Sequence, residues 1–552
     1  MDQISETIGD VDHDVVQHDD LWWRHGIFYQ IYPRSFQDSN SDGIGDIAGI
    51  VERLPYLQTL GIDAIWLSPI FPSPMADFGY DISDYTGIDP LFGTIEDFDT
   101  LVSAAHASGL KIILDLVPNH TSDQHPWFIE SRSGRDNPKR DWYLWRDPNP
   151  DGSAPNNWLS EFGGSAWEYD ASTEQYYYHA FLAQQPDLNW RNPAVREAIY
   201  EVMRFWLRRG VDGFRVDVIW HLIKDAEFRD NPPNPNYHEG RPPHEKILTR
   251  YSTDQPEVHD VIAEMRRVTD EFGSRVLIGE VYLPVQRLVA YYGNDLTGAQ
   301  MPFNFALLST LWSARSIERI IADYESALPR GAWPNWVLGN HDRPRVASRV
   351  GPEQARVAAM LLLTLRGTPT LYYGDEIGMR QAMIAPDQVH DPFEKNVPGI
   401  GVGRDGCRTP MQWDATPSAG FSTATPWLPV ANDFGRENVA SLEADTGSIL
   451  ALYKALIELR KELPQLATGA YEPIGAQGDD LLLFRRRSEG SAVVIALNLG
   501  AAPVSVTSSL IGFGNEILLS TFLDRKGEAL EGALELRGNE GVIIGRSPDQ
   551  AG

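Results

Sequence analysis

The chain has 552 residues, of which 42% are hydrophobic, and its formal net charge is −30. This length suits several domains or one large α/β barrel with additions, and the hydrophobic fraction is normal for a globular protein. The negative charge argues against nucleic acid and anionic lipid surfaces as partners and favours a neutral or cationic ligand. The longest apolar run, around residues 358–365, is too short to cross a bilayer.

The N-terminal residues 1–20 read MDQISETIGDVDHDVVQHDD. They have neither a basic start nor an apolar stretch, so they do not resemble a secretory signal. We predict a disordered acidic tail over 1–20 and a cytoplasmic protein. The single cysteine, Cys407, excludes an internal disulfide. No pattern of His and Asn residues points to Cys407 as a catalytic thiol.

Short apolar segments alternate with helical patterns from residue 27 to residue 374. The segments are continuous apolar runs, as expected of parallel strands that are buried on both faces. Eight such strands separated by helices predict a (β/α)8 barrel. The predicted strands are 27–33, 64–70, 111–119, 213–219, 275–281, 301–307, 335–341 and 368–374. Helical patterns between them include 52–61, 95–109, 193–210 and 353–365.

Three regions depart from this alternation. Residues 121–184 are rich in Trp, Asn, Pro and Gly, and their length predicts a small irregular domain inserted after the third strand. Residues 224–255 predict an ordered but irregular loop. From residue 471, apolar runs alternate with Gly- and Ser-rich turns, which predicts an antiparallel β-sandwich over 471–552. The barrel is therefore assigned to 21–120 and 185–470.

Polar residues follow the predicted strands at their C-terminal ends, where the active site of a parallel barrel lies. Arg215 and Asp217 are two residues apart and therefore lie on one face of the fourth strand. The third strand supplies Asp115, Asn119 and His120, the fifth supplies Glu280, and the seventh supplies His341 and Asp342. Salt bridges at the barrel mouth would explain any one of these residues, but not the whole set in this order.

Two neighbouring carboxylates suit the hydrolysis of a glycoside with retention of configuration. One acts as nucleophile and the other as acid/base, about 5–5.5 Å apart. Arg215 should keep Asp217 ionised, as a nucleophile requires. Glu280 follows apolar residues, and such a setting would raise its pKa, as an acid requires. Asp342 would stabilise the positive charge that develops at the anomeric carbon.

Four motifs carry a family resemblance, namely DLVPNH, GFRVDV, GEV and GNHD in this order. The chain resembles glycoside hydrolase family 13, the α-amylase family, and within it the bacterial α-glucosidase and oligo-1,6-glucosidase branch. QPDLN, at residues 185–189, resembles a fifth motif of that branch. The resemblance covers most of the chain from about residue 22. It implies a (β/α)8 enzyme that acts on α-glucosides and needs no cofactor for its chemistry.

The resemblance also assigns roles to individual residues. It makes Asp217 the nucleophile, Glu280 the acid/base and Asp342 the residue that stabilises the transition state. The positions at which the family binds glucose are matched by His120, Arg215 and His341.

DFGYDISDY and GRDGCRTPMQW imply a closed pocket. By resemblance, Tyr80 would stack on the glucose, and Asp77 would bind the side that carries its 4-OH and 6-OH groups. Arg404 would pair with Asp77 and make the enzyme exo-acting, releasing one glucose at a time. The alternative is that Asp77 and Arg404 are unconnected surface charges. Phe162 and Phe181 would line the pocket or belong to the core.

The segment DSNSDGIGD, residues 38–46, places oxygen ligands at alternate positions with Gly at the sixth, which suits Ca²⁺ or Mg²⁺. The twelfth position is Gly49, so the loop is not an EF-hand. The same loop in the resembled branch binds a structural Ca²⁺ or Mg²⁺ that takes no part in the chemistry. A metal-free turn rich in Asp and Asn is the alternative. The expected ligands are Asp38, Asn40, Asp42, Asp46 and the carbonyl oxygen of Ile44.

Two features of the sequence point to different linkage preferences. Val218, next to the nucleophile, accompanies α-1,6 cleavage in this branch, whereas the loop at 224–255 resembles enzymes described broadly as α-glucosidases. We predict release of glucose from short maltose-type α-glucosides, with sucrose as a further candidate substrate, through a covalent glucosyl-enzyme. Transglycosylation would compete with hydrolysis. The alternatives are an oligo-1,6-glucosidase, a trehalose synthase or sucrose isomerase, and a non-catalytic binding protein.

The expected partner is a small α-glucoside, with neither nucleic acid nor membrane. We expect the protein to be a monomer or a homodimer.

Overall fold

The structure is a computed structural model that describes residues 21–511, 515–530 and 532–546. The predicted tail at 1–20 lies outside the described residues. Among the residues described, no helix is long and apolar enough to cross a membrane.

The first eleven strands include those of the barrel. They are β1 (Phe28–Ile31), β2 (Ala64–Leu67), β3 (Lys111–Leu116), β4 (Trp145–Arg146), β5 (Trp167–Asp170), β6 (Gln175–Tyr178), β7 (Gly213–Val216), β8 (Val276–Gly279), β9 (Met301–Pro302), β10 (Asn335–Val337) and β11 (Thr368–Tyr372). Eight of them form one sheet in the order β10-β11-β1-β2-β3-β7-β8-β9. All neighbouring pairs are parallel, so successive barrel strands end side by side.

The side chain of Asn335 joins β9 to β10, the two edges of this sheet. Its Nδ2 donates to the carbonyl oxygen of Pro302 at 2.6 Å, and its Oδ1 accepts from the backbone N–H of Asn304 at 2.9 Å. Asn335 is fully buried. One amide side chain thus supplies hydrogen bonds across the seam of the barrel, where the strands themselves do not pair.

The helices between barrel strands begin at clear capping signals. Thr94 and Asp97 form a capping box at the start of α3, and Asn192 caps α5, which has Pro193 in its first turn. The helices of the first half are α1 (Trp22–His25), α2 (Ile47–Leu60), α3 (Ile95–Ala107), α4 (Pro126–Arg132), α5 (Pro193–Arg208), α6 (Val258–Asp270), α7 (Val285–Leu288) and α8 (Ala306–Ser309).

The remaining helices cover the last barrel strands and lead into the C-terminal region. They are α9 (Ala314–Ala327), α10 (Val346–Val350), α11 (Pro352–Thr364), α12 (Pro392–Asn396), α13 (Val439–Glu443), α14 (Ile449–Glu462), α15 (Pro464–Ala467) and α16 (Ser508–Ile511). The patterns at 95–109, 193–210 and 353–365 correspond closely to α3, α5 and α11. α2 begins five residues before the predicted 52 because Asp46 caps it.

The region between β3 and β7 contains α4 and a small antiparallel sheet in the order β4-β6-β5. Its aromatic core includes Trp158, Trp167 and Tyr178, and Phe228 from the loop after β7 joins them. Trp158 Nε1 also donates to the carbonyl oxygen of Arg229 at 2.9 Å. The insertion and the loop after β7 therefore pack together on one side of the barrel mouth.

The C-terminal strands are β12 (Ala470–Gln477), β13 (Leu481–Ser488), β14 (Ser491–Asn498), β15 (Val504–Val506), β16 (Glu516–Ser520), β17 (Leu534–Leu536) and β18 (Gly541–Gly545). They form an antiparallel sheet, β12-β13-β14-β18-β16, and a second pair, β15-β17. A separate apolar cluster lies within this region. The predicted fold class, a (β/α)8 barrel with an irregular insertion after its third strand and a C-terminal antiparallel β domain, is confirmed.

Two buried arginines hold the end of α11, one from the C-terminal sheet and one from α14. Arg486 of β13 donates to the carbonyl oxygen of Thr364 at 2.6 Å, and Arg460 of α14 donates to that of Leu363 at 2.7 Å. These carbonyls end α11, where backbone oxygens lack helical partners and carry partial negative charge. The two arginines donate hydrogen bonds to these carbonyl oxygens and so hold α11 against β13 and α14.

Candidate active site

The carboxylates of the predicted site lie one residue beyond their strands. β7 ends at Val216 and β8 ends at Gly279, so Asp217 and Glu280 are the first residues of the following loops. The predicted strands extended further, to residues 219 and 281, because their apolar runs continue past the last strand hydrogen bonds. Adjacent strand ends bring the two side chains to the same rim of the barrel.

The guanidinium group of Arg215 lies at the centre of the site. Its Nη1 donates to both oxygens of Asp115, at 2.7 and 2.9 Å, and to Asp217 at 2.8 Å. Its Nη2 lies 2.6 Å from Glu280 Oε2. Because two nitrogens of one planar group hold Asp217 and Glu280, these carboxyl groups lie side by side.

The neighbourhood of Arg215 raises the pKa values of two of its acids. Burial raises the pKa of Asp217 well above its usual range, and the charges of Glu280 and Asp115 act in the same direction, against Arg215. Burial also raises the pKa of Asp115 to about 7, against the effect of Arg215. The sequence-based expectation considered Arg215 alone, whereas one cation among three carboxylates offsets only part of the effects of burial and of like charge.

Val218 turns the chain immediately after Asp217. Its φ of 36° and ψ of 47° lie in the left-handed region, which is strained for a β-branched residue. In this conformation its backbone N–H donates to Glu280 Oε2 at 3.0 Å. The strained turn therefore contributes directly to the orientation of Glu280.

Tyr80 and His341 form a hydrogen-bonded wall. Gln30 Nε2 lies 2.8 Å from His341 Nδ1, and Tyr80 Oη lies 2.7 Å from His341 Nε2 and 3.1 Å from Asp115 Oδ2. Burial lowers the pKa of His341 to about 3, so the ring is neutral. Since the Gln30 amide donates to Nδ1, the ring proton is assigned to Nε2, and Tyr80 in turn donates to Asp115.

Asp77 and Arg404 form a buried pair rather than separate surface charges. Arg404 Nη2 donates to Asp77 Oδ1 at 2.7 Å, and Arg404 Nη1 donates to Asp342 Oδ1 at 3.4 Å. Arg408 also donates to Asp342, at 2.9 Å. Burial opposes the charge of Asp342, but Arg404 and Arg408 lower its pKa below the usual range, and Nε2 of the neutral His341 lies 3.4 Å from its Oδ2. Asp342 is thus a permanent anion.

His120, which follows β3, and two phenylalanines of the insertion complete the pocket. His120 Nε2 lies 3.0 Å from the carbonyl oxygen of Tyr80, and burial lowers the pKa of His120 to about 4. The ring of Phe181 lies 5.3 Å from that of His120 and 5.8 Å from that of Phe162. The guanidinium of Arg404 lies 4.9 Å from the centroid of Phe162. Both phenylalanines therefore contact site residues and not only the core of the insertion.

Several residues of the site were missed by sequence reasoning. Gln30 is a polar residue inside an otherwise apolar strand, which is a usable signal. Arg408 lies within GRDGCRTPMQW, a segment that drew attention only to Arg404. Asp391 lies in an irregular loop with no pattern around it. Cys407 is buried, donates to the carbonyl oxygens of His341 and Arg404, and has a pKa raised to about 12 by burial, so it is not a reactive thiol.

The loop at 38–46 folds as successive turns closed by its own side chains. Asp38 Oδ1 accepts from the N–H of Asn40 at 3.0 Å, Asn40 Oδ1 accepts from that of Asp42 at 3.0 Å, and Asp42 Oδ1 accepts from that of Ile44 at 2.8 Å. Asp46 caps α2. No group of three or more His, Cys, Asp or Glu side chains in the described residues is arranged to hold a metal ion.

The site geometry agrees with a family assignment by sequence. Residues 30–469 match the profile described as "Alpha amylase, catalytic domain". The chain belongs to the α-amylase family of glycoside hydrolases. This confirms the resemblance inferred from the four motifs.

Curated relatives in this family span nearly the whole chain. A "Probable alpha-glucosidase" of Rhizobium meliloti (strain 1021) is 44% identical over 507 residues, which are 89% of this chain and 91% of that protein. An "Oligo-1,6-glucosidase" of Heyndrickxia coagulans is 41% identical, with 88% and 93% of the two chains covered.

Solved structures of the family are equally similar. The crystal structure of an alpha-glucosyl transfer enzyme superposes with a TM-score of 0.90 at 41% identity, covering 95% of this chain and 99% of that one. A trehalulose synthase from Pseudomonas mesoacidophila MX-45 superposes with a TM-score of 0.86 at 35% identity, with the same coverage. Hydrolases and transferases or isomerases of α-glucosides thus share this architecture.

Proposed function

We propose that this protein is a retaining, exo-acting α-glucosidase that releases glucose from the non-reducing end of short α-glucosides. The observation that carries this proposal is the Arg215 cluster, which holds Asp217 and Glu280 side by side in a buried site. The relatives named alpha-glucosidase and oligo-1,6-glucosidase support the same class of substrate. We infer that Asp217 is the nucleophile and Glu280 the acid/base.

The first half of the reaction forms a covalent intermediate. Asp217 attacks the anomeric carbon while Glu280 donates a proton to the glycosidic oxygen, so the bond between sugar and leaving group breaks. Glu280 Oε2 already accepts from Arg215 and from the N–H of Val218. The transferable proton therefore belongs on Oε1, and this leaves Oε1 to face the leaving group.

The second half releases glucose. Glu280, now a carboxylate, takes a proton from water, and the water oxygen attacks the anomeric carbon and displaces Asp217. Two inversions give net retention. Asp342, kept anionic by Arg404 and Arg408, stabilises the positive charge on the sugar ring in both transition states. A second sugar in place of water gives transglycosylation.

The Asp77–Arg404 pair supports exo action. Both side chains are buried, and their 2.7 Å contact spans the side of the pocket assigned to the 4-OH of the sugar. A glucose that carries another sugar on its 4-oxygen would have to break this pair. We infer that only a terminal glucose fits, with Tyr80, His120 and His341 around it.

The two carboxylates are expected to respond differently to the leaving group. We expect Glu280→Gln to lower kcat on maltose by about 10³-fold or more, because it cannot protonate the leaving oxygen. A dinitrophenyl α-glucoside needs no such proton, so formation of the intermediate should proceed and appear as a burst.

Asp217→Asn is the matched variant in the same measurements. It should lower turnover by several orders of magnitude with maltose and with the dinitrophenyl glucoside alike, because no leaving group replaces a missing nucleophile. A burst from Asp217→Asn would contradict its role as nucleophile. The absence of a burst from Glu280→Gln would contradict its role as acid/base.

Linkage is tested by a panel of maltose, isomaltose, sucrose and trehalose, with released glucose measured side by side. We expect turnover of maltose at least comparable to that of isomaltose. The oligo-1,6-glucosidase alternative rests on Val218 and on relatives of that name, and activity on isomaltose alone would establish it. The similarity to a trehalulose synthase makes isomerised sucrose a further product to examine.

We also propose a structural Ca²⁺ or Mg²⁺ in the loop at 38–46. The alternating oxygen groups and the exposure of Asn40 and Asp42 support it. The side chains form no ready cage, so binding requires some turn bonds of the loop to be exchanged for bonds to the ion. A cation that binds only the folded state raises its stability according to concentration.

This proposal predicts a higher Tm with millimolar Ca²⁺ or Mg²⁺ than with EDTA, by about 2–5 °C. In Asp42→Asn the difference should shrink, because a carboxylate ligand is lost. Equal Tm values in EDTA and in either cation would contradict the site. Activity at 25 °C should stay the same, since the ion would take no part in the chemistry.

The remaining expectations concern the setting of the enzyme. A cytoplasmic location and a monomeric or homodimeric state stay predictions from the sequence. The small α-glucoside is the partner that the site geometry supports.

A further inference from the structure

Asp391 accepts more hydrogen bonds from Arg404 than Asp77 or Asp342 does. Its carboxylate accepts from the backbone N–H of Arg404 at 2.7 Å, from Nε at 3.1 Å to each oxygen, and from Nη2 at 2.7 Å. Asp391 is fully buried. It lies 13 residues before Arg404, in the loop that leads into α12.

We propose that Asp391 is the positioning residue that orients Arg404 in the first glucose subsite and so determines how strongly the enzyme recognises the 4-OH of the sugar. This inference deepens the proposed function and rests on it. Asp391 itself makes no contact with the sugar in this account and acts only through Arg404.

The bonds of the guanidinium show how Asp391 acts. A guanidinium has five N–H groups in one plane, and Asp391 occupies the edge formed by Nε and Nη2. The other Nη2 hydrogen is then directed to Asp77, and Nη1 is directed to Asp342. Fixing one edge of a planar group fixes the directions of all its donors. Without Asp391, Arg404 could rotate and keep only one of these contacts.

The pKa values of Asp391 and Asp77 shift in opposite directions, which supports different roles for the two acids. Burial works against ionisation of Asp391, but Arg404 lowers its pKa below the usual range. Burial raises the pKa of Asp77, and Arg404 only partly offsets this. Asp391 is therefore the firmly ionised partner of Arg404, whereas Asp77 is the partner that faces the sugar and shares its hydrogen bonds with the ligand.

Asp391 is itself rigidly held. Its N–H donates to Asp405 Oδ2 at 2.9 Å, and its own Oδ1 caps α12 by accepting from the N–H of Phe393. The Phe393 ring lies 5.1 Å from that of Phe162, which lies beneath the Arg404 guanidinium. Asp391 thus holds the Arg404 guanidinium and also caps α12, the helix that carries Phe393 next to Phe162.

The test compares p-nitrophenyl α-glucoside with its 4-deoxy analogue in the unaltered enzyme and in Asp391→Asn. In the unaltered enzyme we expect the analogue to have a kcat/KM at least about tenfold lower, the worth of one charge-assisted hydrogen bond. In Asp391→Asn the kcat/KM of the parent glucoside should fall about tenfold or more, mainly through KM, while that of the analogue changes little. The ratio between the two substrates should therefore approach one.

Two further variants separate positioning from general damage. Asp387→Asn removes an exposed acid of the same loop and should leave both substrates unaffected. In an Arg404→Ala background, Asp391→Asn should have no additional effect, because its target is gone. If Asp391→Asn lowers the Tm strongly, Asp391→Ser keeps a capping oxygen for α12 and replaces it in the comparison.

An equal loss on both substrates, an unchanged ratio, or additive effects with Arg404→Ala would each overturn the inference. Failure of the proposed function has a different signature, namely no turnover of the parent glucoside by the unaltered protein. In that case calorimetric binding of D-glucose decides. Asp391→Asn should weaken it about tenfold if the inference holds, and unchanged binding would refute it.

Discussion

The single positive charge of Arg215 is shared by three buried carboxylates, those of Asp115, Asp217 and Glu280. Near a protein surface a contact between opposite charges at about 4 Å is worth about 4 kcal/mol, and repulsion between like charges is of similar size. One cation therefore offsets only part of the cost of burying three acids. The pKa values of Asp217 and Asp115 are accordingly raised.

A second group of charges has more cations for the same number of acids. Arg404 and Arg408 face Asp77, Asp342 and Asp391, so two cations serve three acids. The pKa of Asp342 is accordingly lowered, while that of Asp217 is raised. One barrel mouth thus holds acids whose pKa values are raised beside one whose pKa is lowered. Such opposite tuning of neighbouring acids is how acid and base roles are divided at one pH.

Sequence predicted the parts of this arrangement that depend on chain order. The barrel followed from continuous apolar strands, and the order of parallel strands then placed Asp217 and Glu280 on one rim. The predicted strands extend too far toward the C-terminus, because apolar residues continue beyond the last hydrogen bonds between strands. The expectation that Arg215 keeps Asp217 ionised considered this pair alone, whereas burial, Glu280 and Asp115 raise the pKa of Asp217. Only folding brings the Arg215 guanidinium into contact with all three carboxyl groups.

Loop residues were the hardest to predict. Arg404 was found only because its segment resembles a known motif, and Asp391, which holds it, lies in an irregular loop where no periodicity assigns a partner. Phe162 and Phe181 could be pocket or core residues by sequence, and only the folded chain shows that their rings contact Arg404 and His120. The seam between β9 and β10 is likewise bridged by a side chain, Asn335, that no strand pattern indicates.

The proposed mechanism requires a covalent bond between Asp217 and the sugar. This bond is tested most directly by incubating the protein with 5-fluoro-α-D-glucosyl fluoride, which slows release of the intermediate, and by mapping the labelled peptide by mass spectrometry. We expect one fluoroglucosyl group per chain, attached to the side chain of Asp217. A label on Glu280 or Asp115, or inactivation without any covalent label, would contradict it.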